Sequence, residues 1–485
     1  MLMNNLYKKY KKVAILGIGT EGLALTDFLF DKAEKITILD KMPEEKIAER
    51  LQGEELTQFK RVLADDNMAK VFGENYLDNL SDFDTIFRSP GISACNQKIR
   101  EAKEAGAEIS SQLKLFFDLC PCPIIGVTGT KGKGTTASLI SEMLKKQHAD
   151  NSIQITENRP QVYLAGNIGY PAITLIPEIK EDDIVILELS SFQLMDLEKS
   201  PHIAVVTNLS EDHLDYHADV EEYRGAKFNI LKYQSKNDFA VLNKKSTFAN
   251  ELLDQIVSTK KYFSSTDSGS DAAVRKIENE DWVILDPENR NIKICRSSDI
   301  ILFGRHNLEN IAAAALVADI MGAGSKEISA AAREFAGLSH RIEFVAEIDG
   351  VKYINDSYAT NPEPTMAAIR SFLEPKILIL GGSSKGADFS ALARIISSSD
   401  APAVVLIDPE GQKIKQSLVD NSYKGKVLEG GKDIKEIVGQ AKAEAKPGDV
   451  VLMSPACASF GMFKNYKDRG EEFKAAVLNL ASNLE

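Results

Sequence analysis

The stretch that decides the fold is Ile124-Ile125-Gly126-Val127-Thr128-Gly129-Thr130-Lys131-Gly132-Lys133-Gly134-Thr135-Thr136. A short apolar run enters a glycine-rich turn that carries a lysine, and two hydroxyl residues stand directly behind it. The run reads as a buried strand and the segment after the turn as a helix. Backbone N–H groups in such a turn face a polyphosphate, and the helix N-terminus adds a favourable dipole. Lys133 supplies the countercharge, and Thr135 or Thr136 reaches a magnesium ion. The spacing departs from the usual P-loop, because Gly134 stands directly after the lysine, where Ser or Thr is expected. Gly129, Thr130, Lys131, Gly132, Lys133, Gly134, Thr135 and Thr136 are the candidate nucleotide-binding residues.

The chain around this loop has 485 residues, room for about three domains of ordinary size. Its net charge of −13 argues against a nucleic-acid backbone as the main partner. It does not exclude anionic small substrates, which local Lys, Arg and backbone N–H groups can hold inside an acidic protein. The five cysteines are scattered, and only Cys120-Pro121-Cys122 are close. No Cys/His set at zinc-finger spacing accompanies them, so reduced thiols in a cytoplasmic protein are expected. Lys8, Lys9, Lys11 and Lys12 before Val13–Leu16 resemble a secretion signal, but Gly17, Gly19 and Glu21 break the run, which favours a first strand. No stretch approaches the ~20 apolar residues of a membrane span.

Short apolar runs alternate with helical patterns along the whole chain. Val13–Leu16, Ile36–Leu39, Ile124–Val127, Ile184–Leu187, Ile203–Val206, Ile377–Leu380, Ala403–Ile407 and Val450–Met453 read as buried parallel strands, an α/β architecture repeated several times. Three units are expected: 1–116, Rossmann-like; 117–337, carrying the P-loop; and 338–485, again α/β. Phe239–Leu242, Trp282–Leu285 and Ile292–Ile294 suggest an antiparallel edge region in the second unit. In the first unit, Gly17-Ile18-Gly19-Thr20-Glu21-Gly22 comes after a strand, and Asp40 ends the next one. That pattern fits a dinucleotide, and it fits equally the diphosphate of a UDP-sugar with Asp40 near the nucleoside.

Further chemistry-bearing stretches fall at strand ends. Glu188 closes the run Ile184–Leu187, where a carboxylate is placed for magnesium, although a helix-capping acid looks the same. His213, in Asn208-Leu209-Ser210-Glu211-Asp212-His213, is open between a ligand or acid/base role and a structural one. Lys227 reads on its residues alone as a solvated helical charge. Asn307 and Asn310 share a helical face, and Asn307 is also a natural cap. In the last unit, His340-Arg341, Asn355-Asp356-Ser357-Tyr358-Ala359-Thr360, Gly381-Gly382-Ser383-Ser384-Lys385 and Ser454-Pro455-Ala456-Cys457-Ala458-Ser459 are polar turns expected to line one cleft.

Taken in order, these residues resemble the Mur ligase family over nearly the whole chain. The resemblance rests on Glu188-Leu-Ser-Ser-Phe-Gln-Leu, Thr207-Asn208…Glu211-Asp212-His213, Tyr223-Arg-x-Ala-Lys227, His340-Arg341, and Ser454-Pro-Ala-Cys-Ala-Ser459 with Phe463-Lys-Asn-Tyr466. The Ser454 block and Gly-Gly-x-x-Lys385-x-Ala-Asp-Phe favour the member that adds D-glutamate to UDP-N-acetylmuramoyl-L-alanine. The resemblance implies three domains, and ATP-driven amide formation through an acyl phosphate in peptidoglycan precursor synthesis. It implies catalytic roles for Lys133, Glu188, His213 and Lys227, and nucleotide contacts from Asn310, Arg341 and Asp356 besides the loop. UDP-substrate contacts are implied for Gly19, Thr20, Asp40, Lys41, Gly91, Asn167 and Ser190, and a D-glutamate pocket for Thr360, Lys385, Ser459 and Tyr466. It further implies two magnesium ions among Thr135, Glu188, His213 and Lys227, with Lys227 carried as a carbamate, in a cytoplasmic monomer without a membrane span.

Four departures from the family pattern stand out. Gly134 is the glycine that folylpolyglutamate synthases show. Tyr358 replaces a lysine, Ser383-Ser384 replaces Asp-Gly, and Glu21 puts an acid where an anionic diphosphate should lie. Three competing classes remain. A folylpolyglutamate synthase lacks the first Rossmann-like unit. A dinucleotide oxidoreductase leaves the P-loop without purpose. A non-catalytic relative conflicts with joint retention of Lys133, Glu188, His213 and Lys227.

Overall fold

A computed structural model gives the fold and describes residues 10–482 except 52, 94–95, 150–158, 210–219, 247–250, 267–268, 384–385 and 460. His213 and Lys385 therefore lie outside the described residues. The strands form three sheets, one for each expected unit.

The first sheet runs β3-β2-β1-β4-β5 and is wholly parallel, with β1 (Tyr10–Leu16), β2 (Ala33–Asp40), β3 (Ala69–Phe72), β4 (Thr85–Arg88) and β5 (Glu108–Ser110). Its period-2 side chains divide between two cores. Val13, Ile15 and Ile38 point into one, and Ala14, Leu16 and Leu39 into the other. Burial on both faces explains why these strands read as unbroken apolar runs. Each fully buried Ile or Leu contributes about 1.5–3 kcal/mol. Strand order reverses between β1 and β4, and ligands of open α/β sheets bind at such a switch point.

The second sheet has the order β14-β13-β12-β11-β10-β9-β6-β8-β7. Its strands are β6 (Ile124–Thr128), β7 (Val162–Gly166), β8 (Ile184–Glu188), β9 (Ile203–Val206), β10 (Phe239–Asn243), β11 (Thr259–Ser264), β12 (Ala272–Ile277), β13 (Glu280–Leu285) and β14 (Ile292–Arg296). The expected antiparallel edge is real for β12, β13 and β14, but Phe239–Leu242 pairs parallel with β9 and β11. That run is apolar and almost fully buried, the signature of an interior parallel strand rather than a half-exposed edge. The third sheet, β15-β16-β20-β17-β18-β19, is parallel apart from its β15–β16 edge pair. It contains β15 (Glu343–Ile348), β16 (Val351–Asn355), β17 (Lys376–Gly381), β18 (Ala403–Ile407), β19 (Lys426–Glu429) and β20 (Val450–Met453). Leu378, Leu380 and Leu452 enter one of its cores, and Ile377, Ile379 and Val451 the other.

Two compact units result. Residues 1–297 with 308–332 hold the first two sheets, and residues 298–307 with 333–485 hold the third. In the first unit the two sheets are tied by Arg88, whose Nε donates to Asp196 Oδ2 at 2.8 Å, and by the Ile173 N–H donating to Gln112 Oε1 at 3.2 Å. Among the described residues no helix is long and apolar enough to cross a membrane, and Cys120, Cys122, Cys295 and Cys457 are free thiols.

Candidate functional site

The glycine-rich turn leaves β6 between β8 and β9, so its neighbours come from the ends of both strands. The Thr130 N–H donates to the Asn208 carbonyl at 2.6 Å and the Lys131 N–H to Asn208 Oδ1 at 2.9 Å. Thr207 Oγ1 donates to the Lys131 carbonyl at 2.7 Å. Two glycines are required by this packing. Gly129 has φ +148°, and a Cβ there would stand 1.9 Å from Thr207 Oγ1; Gly132 has φ +82°, and a Cβ would stand 2.4 Å from Asn310 Oδ1. The helix Lys133–Ala149 starts at the lysine, whose Nζ bonds back to the Thr130 carbonyl at 3.1 Å. Gly134 and Thr136 are buried and Thr135 is half-buried. Thr136 Oγ1 points at Asn310 Oδ1, 3.4 Å away, which leaves Thr135 the more open hydroxyl.

Glu188 ends β8 beside Val127 and is buried. Its Oε1 accepts from Asn167 Nδ2 at 3.1 Å, while Oε2 is buried with no hydrogen-bond partner among the described residues. An orphaned carboxylate oxygen next to a phosphate-type loop fits a divalent cation, the ordinary remedy for a buried acid without a donor. Among the described residues no cluster of three His, Cys, Asp or Glu could hold a metal unaided, so hydroxyl and phosphate oxygens would complete the shell. Lys227 is not the solvated charge its sequence suggests. It is buried on the helix Val220–Lys232, donates to the Gly129 carbonyl at 2.8 Å and lies 4.9 Å from the Tyr223 ring centroid. Tyr223 in turn shares a 2.9 Å hydrogen bond with Thr130 Oγ1. A carbamate on Lys227 would keep one N–H, enough for the bond to Gly129, and would turn a cation into an anion. Of the asparagine pair, Asn310 meets the loop, whereas Asn307 Nδ2 donates to the Phe303 carbonyl at 2.7 Å, a bond back to the segment before the helix and not an N-cap.

At the switch point of the first sheet lies a cleft of about 460 Å³. Gly19, Thr20, Asp40, Lys41 and Gly91 line it, as does Glu21. Asp40 braces the turn, accepting the Ile18 N–H at 2.7 Å and the Met42 N–H at 2.8 Å. Thr20 Oγ1 donates to Glu55 at 2.5 Å. Asn167 and Ser190 are elsewhere, on the Glu188 side. Ser190 forms a capping box with Gln193, and Gln193 reaches back to Glu21. Arg88, which no sequence motif marks, donates to the carbonyls of Ser89, Pro90 and Ile92 and so shapes one wall of the cleft. Its one signal is a charge ending an otherwise apolar strand, Thr85-Ile86-Phe87-Arg88.

In the unit carrying the third sheet, β16, β20, β17 and β18 are adjacent and parallel, so the turns at their C-terminal ends meet at one edge. Asp356 is buried; Ser454 Oγ donates to its Oδ2 at 2.6 Å and the Ile342 N–H to its Oδ1 at 3.2 Å. Burial pushes its carboxyl up to about 7, against the pull of Ser454, Ile342, Arg341 and Arg469. Arg341 is flanked by His340 and Ile342 in left-handed backbone, φ 66° and 46°. For a β-branched isoleucine this conformation is strained, at roughly 1–3 kcal/mol. Arg341 stacks on Tyr358, and Tyr358 meets Tyr466 edge-on. Ser459 lies close to Gly382, Met462 and Arg469 around a closed crevice with no room for a water molecule, and Thr360 is exposed ahead of the helix Pro362–Arg370. Arg469 is fully buried, and no motif in the sequence singles it out. It donates to Ser357 Oγ, the Ser357 carbonyl and the Cys457 carbonyl at 2.8–3.1 Å, with burial drawing its basicity down to about 10.

The chain matches three family models in succession: "Mur ligase MurD-like, N-terminal domain" over 11–111, "Mur ligase middle domain" over 127–318, and "Mur ligase, glutamate ligase domain" over 340–457. It is 41% identical over 475 residues to the UDP-N-acetylmuramoylalanine–D-glutamate ligase of Acetivibrio thermocellus, covering 97% of this chain and 96% of that one. It is 39% identical over 477 residues to the ligase of the same name from Clostridium botulinum, covering 97% of each. Among solved structures, UDP-N-acetylmuramate-alanine ligase MurC of Thermotoga maritima superposes with a TM-score of 0.56 at 18% identity, covering 97% of this chain and 99% of its own. MurF of the same organism, in complex with ADP, superposes at 0.54 with 17% identity, covering 98% and 97%. These two share the fold. Because sequence models account for all three sheets and relatives near 40% identity span almost the full length, the chain belongs to the Mur ligase family, with a first domain of the MurD-like kind.

Proposed function

We propose that this protein is an ATP-dependent ligase that joins D-glutamate to UDP-N-acetylmuramoyl-L-alanine. The observation that carries the reading is identity of 39–41% to D-glutamate ligases over 97% of the chain, together with a buried, cation-ready carboxylate beside a phosphate-type loop. In this reading the alanine carboxylate attacks the γ-phosphate of ATP, ADP leaves, and the amine of D-glutamate attacks the acyl phosphate, releasing phosphate. Acyl phosphate formation supplies a good leaving group, and positioning with charge neutralisation does most of the rest.

The loop 129–136 wraps the phosphates, and Lys133 exchanges its bond to Thr130 for the β- and γ-phosphate oxygens. Thr135 and Glu188 would hold one magnesium ion; His213 and the Lys227 carbamate would serve a second. Such ions neutralise the triphosphate and the charge that develops on the transferred phosphoryl group. Thr207, Asn208 and Tyr223 keep the loop in shape, and Asn310, Arg341 and Asp356 contact the nucleotide. Gly19, Thr20, Asp40, Lys41 and Gly91 bind the UDP end of the substrate, with Asn167 and Ser190 toward its reacting end. Thr360, Lys385, Ser459 and Tyr466 receive D-glutamate, with Lys385 pairing a carboxylate. The division 1–116, 117–337 and 338–485 is part of the same proposal, and one sheet in each segment supports it. The product is a peptidoglycan precursor, which ties the activity to cell-wall assembly, cell shape and division. A cytoplasmic monomer is the form in which we expect it to act.

The test is phosphate release from ATP with magnesium and UDP-N-acetylmuramoyl-L-alanine, comparing D-glutamate with L-glutamate, D-aspartate, L-lysine and meso-diaminopimelate. Release with D-glutamate alone, with a product heavier by one glutamate residue, is expected. Release with another amino acid moves the chain to a sibling activity, and release with none overturns the proposal.

A further inference from the structure

The acid in the first glycine turn poses a problem that the structure answers. Two acids line the cleft, Asp40 and Glu21. Asp40 is occupied, since both its oxygens accept backbone N–H groups. Glu21 stands in the first turn of the helix Thr20–Leu29, where it competes with any anion for the same helix N-terminus. If the cleft takes the diphosphate of a UDP-sugar, as proposed above, a carboxylate loose in it would repel the ligand.

Glu21 is not loose. Gln193 Nε2 donates to its Oε1 at 2.7 Å. Gln193 cannot easily turn away, because its Oε1 accepts the Ser190 N–H at 3.0 Å and faces Ser190 Oγ at 3.2 Å, while its own N–H donates to Ser190 Oγ at 3.3 Å. Those bonds orient the amide, so its NH2 group is aimed at Glu21, and Gln193 is buried. The buried Gln112 amide and the Arg88 guanidinium also favour the ionised form of this carboxylate. Burial pushes the Glu21 carboxyl above its ordinary range, and these three groups oppose that push. Gln193, on the segment after Glu188, and Gln112, on the helix Gln112–Leu119, are both distant in sequence from the glycine turn, whereas Arg88 on β4 pairs with Leu16 at the foot of that turn.

We propose that Gln193 is a positioning residue that draws the Glu21 carboxylate out of the path of the UDP-substrate's diphosphate, making the affinity of the first-sheet cleft depend on a side chain of the second sheet. The proposal rests on the functional reading above. It also explains how an acid is tolerated at this turn: the chain carries both the acid and its restraint. Because the same capping box begins two residues after Glu188, the restraint joins the UDP end of the substrate to the loop that carries the cation-ready carboxylate.

The test is a double-mutant cycle on the full chain. Binding of UDP, of UDP-N-acetylmuramoyl-L-alanine and of ATP is measured by calorimetry for the parent, Gln193→Met, Glu21→Thr and the double variant, with melting curves alongside. Gln193→Met should weaken both uridine ligands by about tenfold and leave ATP within about twofold, the scale of one misplaced charge facing an anion. Glu21→Thr alone should bind them as well as the parent or better, and in the double variant it should recover most of the loss. If Gln193→Met melts early, Gln193→Asn keeps the amide but is too short to reach Glu21, and should show the same relieved defect. A Gln193 defect that Glu21→Thr does not relieve, or no defect at all, overturns the proposal while leaving the function standing. A parent that binds ATP but neither uridine ligand overturns the functional reading and this inference with it.

Discussion

The guanidinium of Arg341 lies 3.9 Å above the ring centroid of Tyr358, and Tyr466 meets that same ring edge-on with centroids 5.0 Å apart. Tyr358 is thus an aromatic platform between the two. One proposed nucleotide contact and one proposed D-glutamate contact share it. Tyr358 is 41% exposed, so the cation–π term belongs to the weaker range of about 0.5–1 kcal/mol. Tyr358→Ala should raise KM for ATP roughly two- to fivefold, and Tyr358→Phe should restore it, because the ring and not the hydroxyl carries the contact. Steady-state kinetics on both variants check this.

Lys227→Ala should lower turnover by at least about a hundredfold, the scale of a lost electrostatic group at a reacting phosphate. ATP binding should persist, since the loop bonds from Thr207 and Asn208 remain. A short-chain carboxylic acid in excess should restore part of the activity by standing in for the carbamate. Full activity in the variant would remove Lys227 from the reaction.

Glu188→Gln should separate binding of the cation from folding. The buried Oε2 has no donor among the described residues, so replacing it breaks no hydrogen bond that this oxygen makes. The variant should melt near the parent without magnesium. The stabilisation that magnesium and ATP give the parent should largely vanish, with turnover down by about a hundredfold or more. Melting curves with and without magnesium are the readout.

Asp356 makes stability depend on pH in a definite direction. Its carboxyl titrates near 3.8 when unfolded and is pushed up to about 7 by burial. The native state therefore holds the proton more tightly. Its contribution is full below about pH 4 and is lost as pH rises through about 7. Asp356→Asn removes that loss. Its melting temperature relative to the parent should climb across this window by roughly 3–6 °C, even as the change disturbs the nucleotide site. A constant difference from pH 5 to pH 8 would count against the shift.

Much of the fold was legible in the sequence because parallel strands buried on both faces are written as unbroken apolar runs. All eight runs read as buried parallel strands lie in parallel ladders. The loop could be read because glycine, lysine and threonine mark phosphate chemistry. What resisted reading was polar packing at long range. Arg88, Gln193 and Arg469 find their partners 108, 172 and 112 residues away, and no local pattern encodes such a bond. The burial of Lys227 was hidden for the same reason, since the helical periodicity around it does not say which face the loop will cover. Phe239–Leu242 misled because a short apolar run does not tell its pairing direction.

The nucleotide loop is finished late in the life of the chain. Asn310, which closes against Thr136, sits on the helix Arg305–Ile320. Residues 308–332 belong to the first compact unit only after the chain has given residues 298–307 to the second. At ordinary rates of synthesis, about 5–20 residues per second, roughly ten to forty seconds separate the emergence of β6 from that of the helix that completes its turn. During that interval the nascent protein has a phosphate loop without its last wall. A fragment ending near residue 297 would be left permanently in that state, so ATP cannot be counted on to rescue the folding of a truncated protein.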